Sequence, residues 1–511
     1  MNFKRLAVVL TVTAASVGTQ AHAKTTADAP ERCSSLASAD FSQVSDAPTQ
    51  IIEARTEAAA GDTPGYCEVS GYVTPSIGFL LRLPTERWNG KFIELGCGGT
   101  CGSIYIAACE DPLRRGYACI VSDGGHHSGG GDVKWAYGNP QAVIDYLIRA
   151  PHVTALAGKA IAERYYSRSP HPSYFMGCSA GGAQAMTEVQ RFPWDFDGII
   201  VGAPDLSWSE DWMNMVWVNR ALVGSGGKPL LQQPELEALH AAVIAKCDLN
   251  DGLKDHLIGD PRHCDFDPAA LACNRGRKDG CLSASQIEVV RKIYDGPATA
   301  AGKPIGMPHV FRGSEQGWLA WFGGTPANPT GLYNYMPEWF RYYFFQPNPG
   351  PTWQIGDLDF EHDYQRFGVA ELTDAVNPDL RRFKGRGGKL MLYTGWNDAG
   401  AGVGRTVDYY ESAEKLMGGR AATQEFFRLF VIPGMGHCSG GEGASEIDYL
   451  SYLEAWVEQG QAPDKLIGSH GQNDAPQRVE FSRPAYPYPL RAQYLGRGDP
   501  KDASSFGPVE P

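Results

Sequence analysis

Nine residues, Tyr174-Phe175-Met176-Gly177-Cys178-Ser179-Ala180-Gly181-Gly182, limit the possible folds of this chain more than any other stretch. A short apolar run leads into G-x-S-x-G and then into a helical pattern. Where a strand turns into a helix across one serine there is no room for side chains beside the turn. Positions 177 and 181 must therefore be small, and both are glycine. In a chain with 61 glycines the motif carries little weight alone. Its weight comes from a strand before it, a helix after it, and an acid and a base in the right order further on.

The flanking sequence supplies the strand and helix. Residues 66–73 and 79–84 alternate as strands, and Lys91 to Leu95 is another, running into Gly96-Cys97-Gly98-Gly99-Thr100-Cys101-Gly102. A glycine loop after an early strand suits one N–H donor of an oxyanion hole, at Gly98 or Gly99, with Ala180 after the serine as the other. It lacks the G-x-x-x-x-G-K-[ST] spacing of a phosphate loop. Residues 116–123 read as a buried strand ending before His126 and His127. Adjacent residues of an extended segment point to opposite sides, so this pair reads as structural or pocket-rim in preference to a metal site. Helical patterns follow over Pro140 to Ala150 and His152 to Tyr166, then the strand before Ser179, the helix after it, and a strand at 196–204. Such alternation predicts a doubly wound α/β sheet.

Beyond Pro204 the alternation stops. Residues 205–386 hold two cysteine loops and an aromatic-dense run from Trp318 to Phe345, and read as an inserted lid domain. Strands resume at 388–393 and 426–432, a helix spans 447–459, and the Pro-rich tail from Gln472 is expected to wrap the surface. Thr394-Gly395-Trp396-Asn397-Asp398 follows the first resumed strand and Pro433-Gly434-Met435-Gly436-His437 the second. Ser179, Asp398, His437 is the chain order of an α/β-hydrolase triad, so we expect an α/β-hydrolase fold in two parts, 24–204 and 387–511, around the 205–386 lid. His437 would take the serine proton, and Asp398 would hold the imidazole.

The first 23 residues pair Lys4 and Arg5 with an apolar run and an Ala21-His22-Ala23 cleavage site, the pattern of a secretory signal peptide. Its loss removes two cations and takes the formal charge from −13 to −15, which argues against nucleic acid or anionic membrane as partner. Twelve cysteines in a chain that is secreted or periplasmic are expected to form disulfides. Oligomeric state is not readable.

Gly177-Cys178-Ser179-Ala180-Gly181-Gly182, Trp135-Ala136-Tyr137-Gly138-Asn139, Phe196-Asp197-Gly198-Ile199, Asp398 and His437-Cys438 together resemble the tannase and feruloyl esterase family, which includes mono(2-hydroxyethyl) terephthalate hydrolases. The resemblance implies a serine esterase acting on esters of aromatic acids, hydroxycinnamoyl or galloyl in type. A terephthalate monoesterase, a general carboxylesterase, a polyester depolymerase and a peptidase are the alternatives. It implies a Cys178–Cys438 disulfide and local bridges Cys247–Cys264 and Cys273–Cys281. Cys33, Cys67, Cys97, Cys101, Cys109 and Cys119 remain, and the sequence does not choose among their pairings. It also implies a structural Ca2+ held by the side chains of Asp248, Asp251 and Asp255 and the carbonyls of Leu253 and Leu257. Clustered carboxylates around a glycine turn suit such a hard cation. Trp318, Trp321, Phe322 and Tyr335 are the candidates to hold an aromatic ring. For the free carboxylate of a terephthalate monoester the lid offers Arg312 and Arg341.

Overall fold

The computed structural model describes residues 28–510 apart from 130, 224–226, 275–279, 309, 326–327, 329–330 and 473–474. The expected signal peptide lies outside them. The strands β1 (Thr49–Glu57), β2 (Tyr66–Val73), β3 (Ile77–Pro84), β4 (Phe92–Leu95), β5 (Ala118–Ser122), β6 (Ser173–Cys178), β7 (Gly198–Gly202), β8 (Lys389–Gly395) and β9 (Phe427–Ile432) form one sheet. Their order is β1-β2-β3-β5-β4-β6-β7-β8-β9. The first four in that order pair antiparallel, and from β5 onward every pair is parallel. β5 and β7 are buried along their whole length, as parallel strands covered on both faces must be.

Successive side chains of the central strands go to opposite faces. Phe175, Ile199, Leu390 and Leu392 pack under the helices Ala150–Tyr166 and Ala180–Arg191. Tyr174, Ile200 and Met391 pack with Leu450, Leu453 and Trp456 of the helix Tyr449–Gln459. β7 and β8 are neighbours, so the chain between them leaves the sheet and returns to it. That insert is mainly helical, with Trp208–Val223, Gln233–Cys247 and Ala284–Asp295 the longest pieces. Its core includes Tyr146, Ala180 and Ala183 of the sheet unit, so the insert packs directly on the start of the serine helix.

Three features depart from the sequence reading. β1 was not anticipated: it is an edge strand with little buried surface, so its apolar pattern is weak. The two helices expected over 140–166 are joined by a π-helical turn at Asp145–Arg149. The tail forms two antiparallel pairs, β10 (Leu466–Gln472) with β11 (Ala475–Ala485) and β12 (Arg491–Tyr494) with β13 (Phe506–Val509).

Beneath the sheet lies a buried ionic cluster. His152 Nδ1 is 2.5 Å from Asp195, and the Lys159 ammonium donates to the Asp195 carbonyl. Burial, together with the carboxylates of Asp195 and Glu94, raises Glu188 well above its ordinary value of 4.5. The folded chain thus holds a proton there that the unfolded chain releases, and stability falls as pH rises above about 4.5. Glu188→Gln is expected to raise the melting temperature at pH 8, with the difference shrinking towards pH 4.5. A difference that does not change with pH would contradict this.

Candidate active site

Ser179 sits between β6 and the helix Ala180–Arg191 at φ 61°, ψ −122°, a backbone region that L-residues rarely occupy. Such strain costs on the order of 1–3 kcal/mol and persists only where the surroundings fix it. The fixing is steric. A Cβ on Gly177 would stand 2.3 Å from the Gly181 carbonyl oxygen, and one on Gly96 would stand 2.7 Å from the Gly181 Cα. The end of β4, the end of β6 and the helix start therefore touch through backbone alone.

Asp398 follows β8 and His437 follows β9, and the two strands are paired neighbours. Asp398 is fully buried, and its Oδ1 accepts the N–H groups of Gly400 at 2.6 Å and Ala401 at 3.0 Å. His437 Nδ1 lies 3.0 and 3.1 Å from the two Asp398 oxygens. That contact fixes Nδ1–H as the donor and leaves Nε2 as the proton acceptor. The implied bridge is present: Cys178 and Cys438 are joined at 2.02 Å with Cα atoms 5.9 Å apart, so the residues beside Ser179 and His437 are covalently tied. Burial opposes a charge on His437, but Asp398, by charge and hydrogen bond, and Asp205, by charge, outweigh it and raise the imidazole above 6.5.

Asp205 was not singled out from the sequence. It lies three residues past β7, at the carboxyl end of the sheet where α/β folds gather their sites. That placement was the available signal. It is buried with Oδ1 unpartnered. Burial and the Asp211 and Asp398 carboxylates raise it well above the usual range, against the pull of His437.

The glycine loop adjoins the elbow. Gly98 and Gly99 are exposed. The Gly98 carbonyl accepts from Cys101 N–H at 3.0 Å, and the Gly99 carbonyl accepts from the Tyr146 hydroxyl. Cys97 and Cys101 are bonded to each other, closing this loop on itself, and the other open cysteines pair as Cys33–Cys67 and Cys109–Cys119. Cys247–Cys264 and Cys273–Cys281 form as implied.

A strained serine, a His–Asp pair on adjacent strand ends, and a disulfide joining the serine and histidine loops form one arrangement. Residues 61–509 match the family model described as "Tannase and feruloyl esterase". The chain belongs to that family. It is 33% identical over 524 residues to mono(2-hydroxyethyl) terephthalate hydrolase of Piscinibacter sakaiensis, covering 89% of this chain and 86% of that protein. It is 29% identical over 504 residues to a probable feruloyl esterase B-2 of Aspergillus flavus, covering 91% of this chain and 92% of that one. Among solved structures, feruloyl esterase B from Aspergillus oryzae superposes with TM-score 0.83 at 25% identity, covering 94% of this chain and all of that one. This tannase and feruloyl esterase family member is a carboxylic ester hydrolase.

Of the candidate ring-binding residues, Trp321 reaches the site. Its ring stands edge-on to His437 at 5.0 Å between centroids, and Gly400 makes room, since a Cβ there would meet both rings. Tyr335 is half-buried, edge-on to Trp212 at 6.1 Å. Trp318 and Phe322 are corrections: both are fully buried, so neither presents surface to a ligand. Trp318 packs on Tyr294 and donates its indole N–H to Ser314, and Phe322 carries the core-facing side of its short helix. A separate cavity of about 610 Å³ reaches Gly96, Gly177 and Cys178 and is lined also by Arg115, Tyr393 and Tyr449, but includes neither Ser179 nor His437.

The aspartate loop of the insert fits a cation in its charge. Asp248 is buried with Oδ2 unpartnered. Burial, along with the like charges of Asp255 and Asp248, pushes Asp251 up to about 7. Its geometry is looser. Asp255 faces Arg483 at 2.6 Å, and among the described residues the His/acid trio with ligand atoms within 4.8 Å of one another is His152, Glu188 and Asp195 instead. That trio already neighbours Lys159.

If His437 acts as the base, kcat/KM must fall as pH drops through its raised pKa. The acid limb is expected above pH 6.5. Asp398→Asn is expected to lower kcat by about 10⁴ through loss of the correct tautomer. A limb below pH 6 in the native enzyme would contradict the His–Asp geometry.

Proposed function

We propose that the protein hydrolyses esters of aromatic carboxylic acids, hydroxycinnamoyl or galloyl in type, through an acyl-enzyme on Ser179. The observation that carries this is Trp321 against His437, an aromatic wall at the histidine itself. His437 takes the Ser179 proton as the hydroxyl attacks the ester carbonyl, and returns it to the leaving alcohol. Ala180 N–H and an N–H of Gly98 or Gly99 face the oxyanion. Water then repeats the sequence on the acyl-enzyme. The insert serves as the lid over this site.

The terephthalate monoester reading is supported by the 33% identity to the Piscinibacter enzyme. Against it, the two candidate arginines of the lid are engaged elsewhere. Arg312 donates to the Phe266 carbonyl and lies over Tyr294, and Arg341 donates to the Trp353 carbonyl and pairs with Glu338. Neither stands ready for a free carboxylate. Six disulfides and the leader pattern support export. No helix among the described residues is long and apolar enough to cross a membrane.

Asp248, Asp251 and Asp255, with the carbonyls of Leu253 and Leu257, would hold Ca2+ as a structural ion. It would supply the positive charge that the buried Asp248 and Asp251 lack, with Arg483 yielding Asp255.

Methyl ferulate and methyl gallate are expected to be hydrolysed at least ~10-fold faster in kcat/KM than a short aliphatic p-nitrophenyl ester, with Ser179→Ala inactive. Equal rates on aromatic and aliphatic acyl groups would overturn the aromatic reading. Chelation is expected to lower the melting temperature by several degrees, with calcium restoring it, by mass action on the folded state. An unchanged melting curve with no calcium bound would rule the ion out.

A further inference from the structure

The glycine loop that would hold the oxyanion is gripped by a side chain outside the triad. Gln184 lies on the helix that begins at Ala180, with its carboxamide almost fully buried. Its Oε1 accepts the Cys97 N–H at 3.1 Å, and its Nε2 donates to the Tyr146 carbonyl at 2.9 Å. The same Nε2 lies 3.2 Å from Cys97 Sγ and 4.0 Å from Cys101 Sγ. The amide orientation follows from the chemistry, because a backbone N–H needs an oxygen and a carbonyl needs an N–H. Tyr146 in turn donates its hydroxyl to the Gly99 carbonyl. One carboxamide therefore holds the start of the loop directly and its middle through Tyr146. Gly96 permits the contact, since its Cβ would stand 3.1 Å from Oε1.

We propose that Gln184 is a positioning residue that sets the 97–101 loop against the start of the serine helix, so that the loop N–H groups and Ala180 N–H converge on the developing oxyanion. The proposal rests on the Ser179 mechanism above. Preorganised donors matter most where charge develops, and an amide misplaced by about 1 Å costs on the order of 10² in rate. The Cys97–Cys101 bond limits how far the loop opens, and Gln184 fixes where the closed loop sits. The hydrogen-bond partners of Gln184 are the loop and Tyr146, so it would act through the loop.

Gln184→Met removes both hydrogen bonds at similar volume, and Gln184→Glu keeps the acceptor but sets an oxygen against the Tyr146 carbonyl until the acid is protonated. For Gln184→Met we expect kcat to fall about 10- to 100-fold with KM within about twofold. Affinity for an aryl boronic acid, which adds to the serine as a tetrahedral mimic, should fall by a similar factor. Affinity for the free aromatic acid should be unchanged, and the acid limb of the pH profile should not move. For Gln184→Glu the activity relative to native should recover as pH falls, because a protonated glutamic acid restores the donor. Native-like kcat in both variants would overturn the proposal. So would equal losses of boronate and product affinity, which mark general loosening. Ser179→Ala, assayed in parallel, separates the two levels: activity retained there would sink the serine mechanism, whereas an inactive Ser179→Ala with an unimpaired Gln184→Met would sink only the positioning role.

Discussion

The contact of three backbones at Gly96, Gly177 and Gly181 governs the rest of this molecule. Because no Cβ intervenes, the end of β4 and the end of β6 close on the first turn of the serine helix, and Ser179 is forced to φ 61°. That one steric fact places Ser179 at the carboxyl end of a central strand, with Ala180 starting the helix and the glycine loop beside it. Any side chain at these positions would separate the three and relax the turn.

A serine fixed in this way is useful only if its base is fixed relative to it, and the histidine follows a strand three places further along the sheet, β9 against β6. The Cys178–Cys438 bridge answers that requirement across 260 residues of chain. In the loop-entropy account such a closure restricts the unfolded chain by on the order of 5 kcal/mol, less any native-state strain. Its geometric effect is local, since it ties the residue before the serine to the residue after the histidine. The insert between β7 and β8 then adds what the sheet lacks. It carries Trp321 to His437 and leaves Asp205 buried near the imidazole, so the site is polarised and walled by the same excursion.

The sheet and the strand ends that carry Ser179, Asp398 and His437 were legible in the sequence because each rests on a local pattern. Buried parallel strands read as apolar runs, and Gly177 and Gly181 announce the turn. Asp398 and His437 stand three and five residues past strand ends. What was not legible depended on contacts distant in the chain. Cys97 closes on Cys101 within the loop after β4, and Cys109 reaches Cys119 on β5, pairings that spacing does not encode. Trp318 and Trp321 look alike in an aromatic run, yet one faces the core and the other the histidine. Gln184 reads as an ordinary helical residue until Cys97 and Tyr146 are seen against it. β1 was missed because an edge strand needs little apolar surface.

Every proposed step requires Ser179 as the nucleophile, and covalent trapping tests that most directly. Treatment with a fluorophosphonate, followed by intact mass and peptide mapping with the disulfides kept, is expected to give one adduct per chain on the peptide carrying Ser179, with activity lost in step. An adduct on another residue, or full inactivation with Ser179 unmodified, would contradict it.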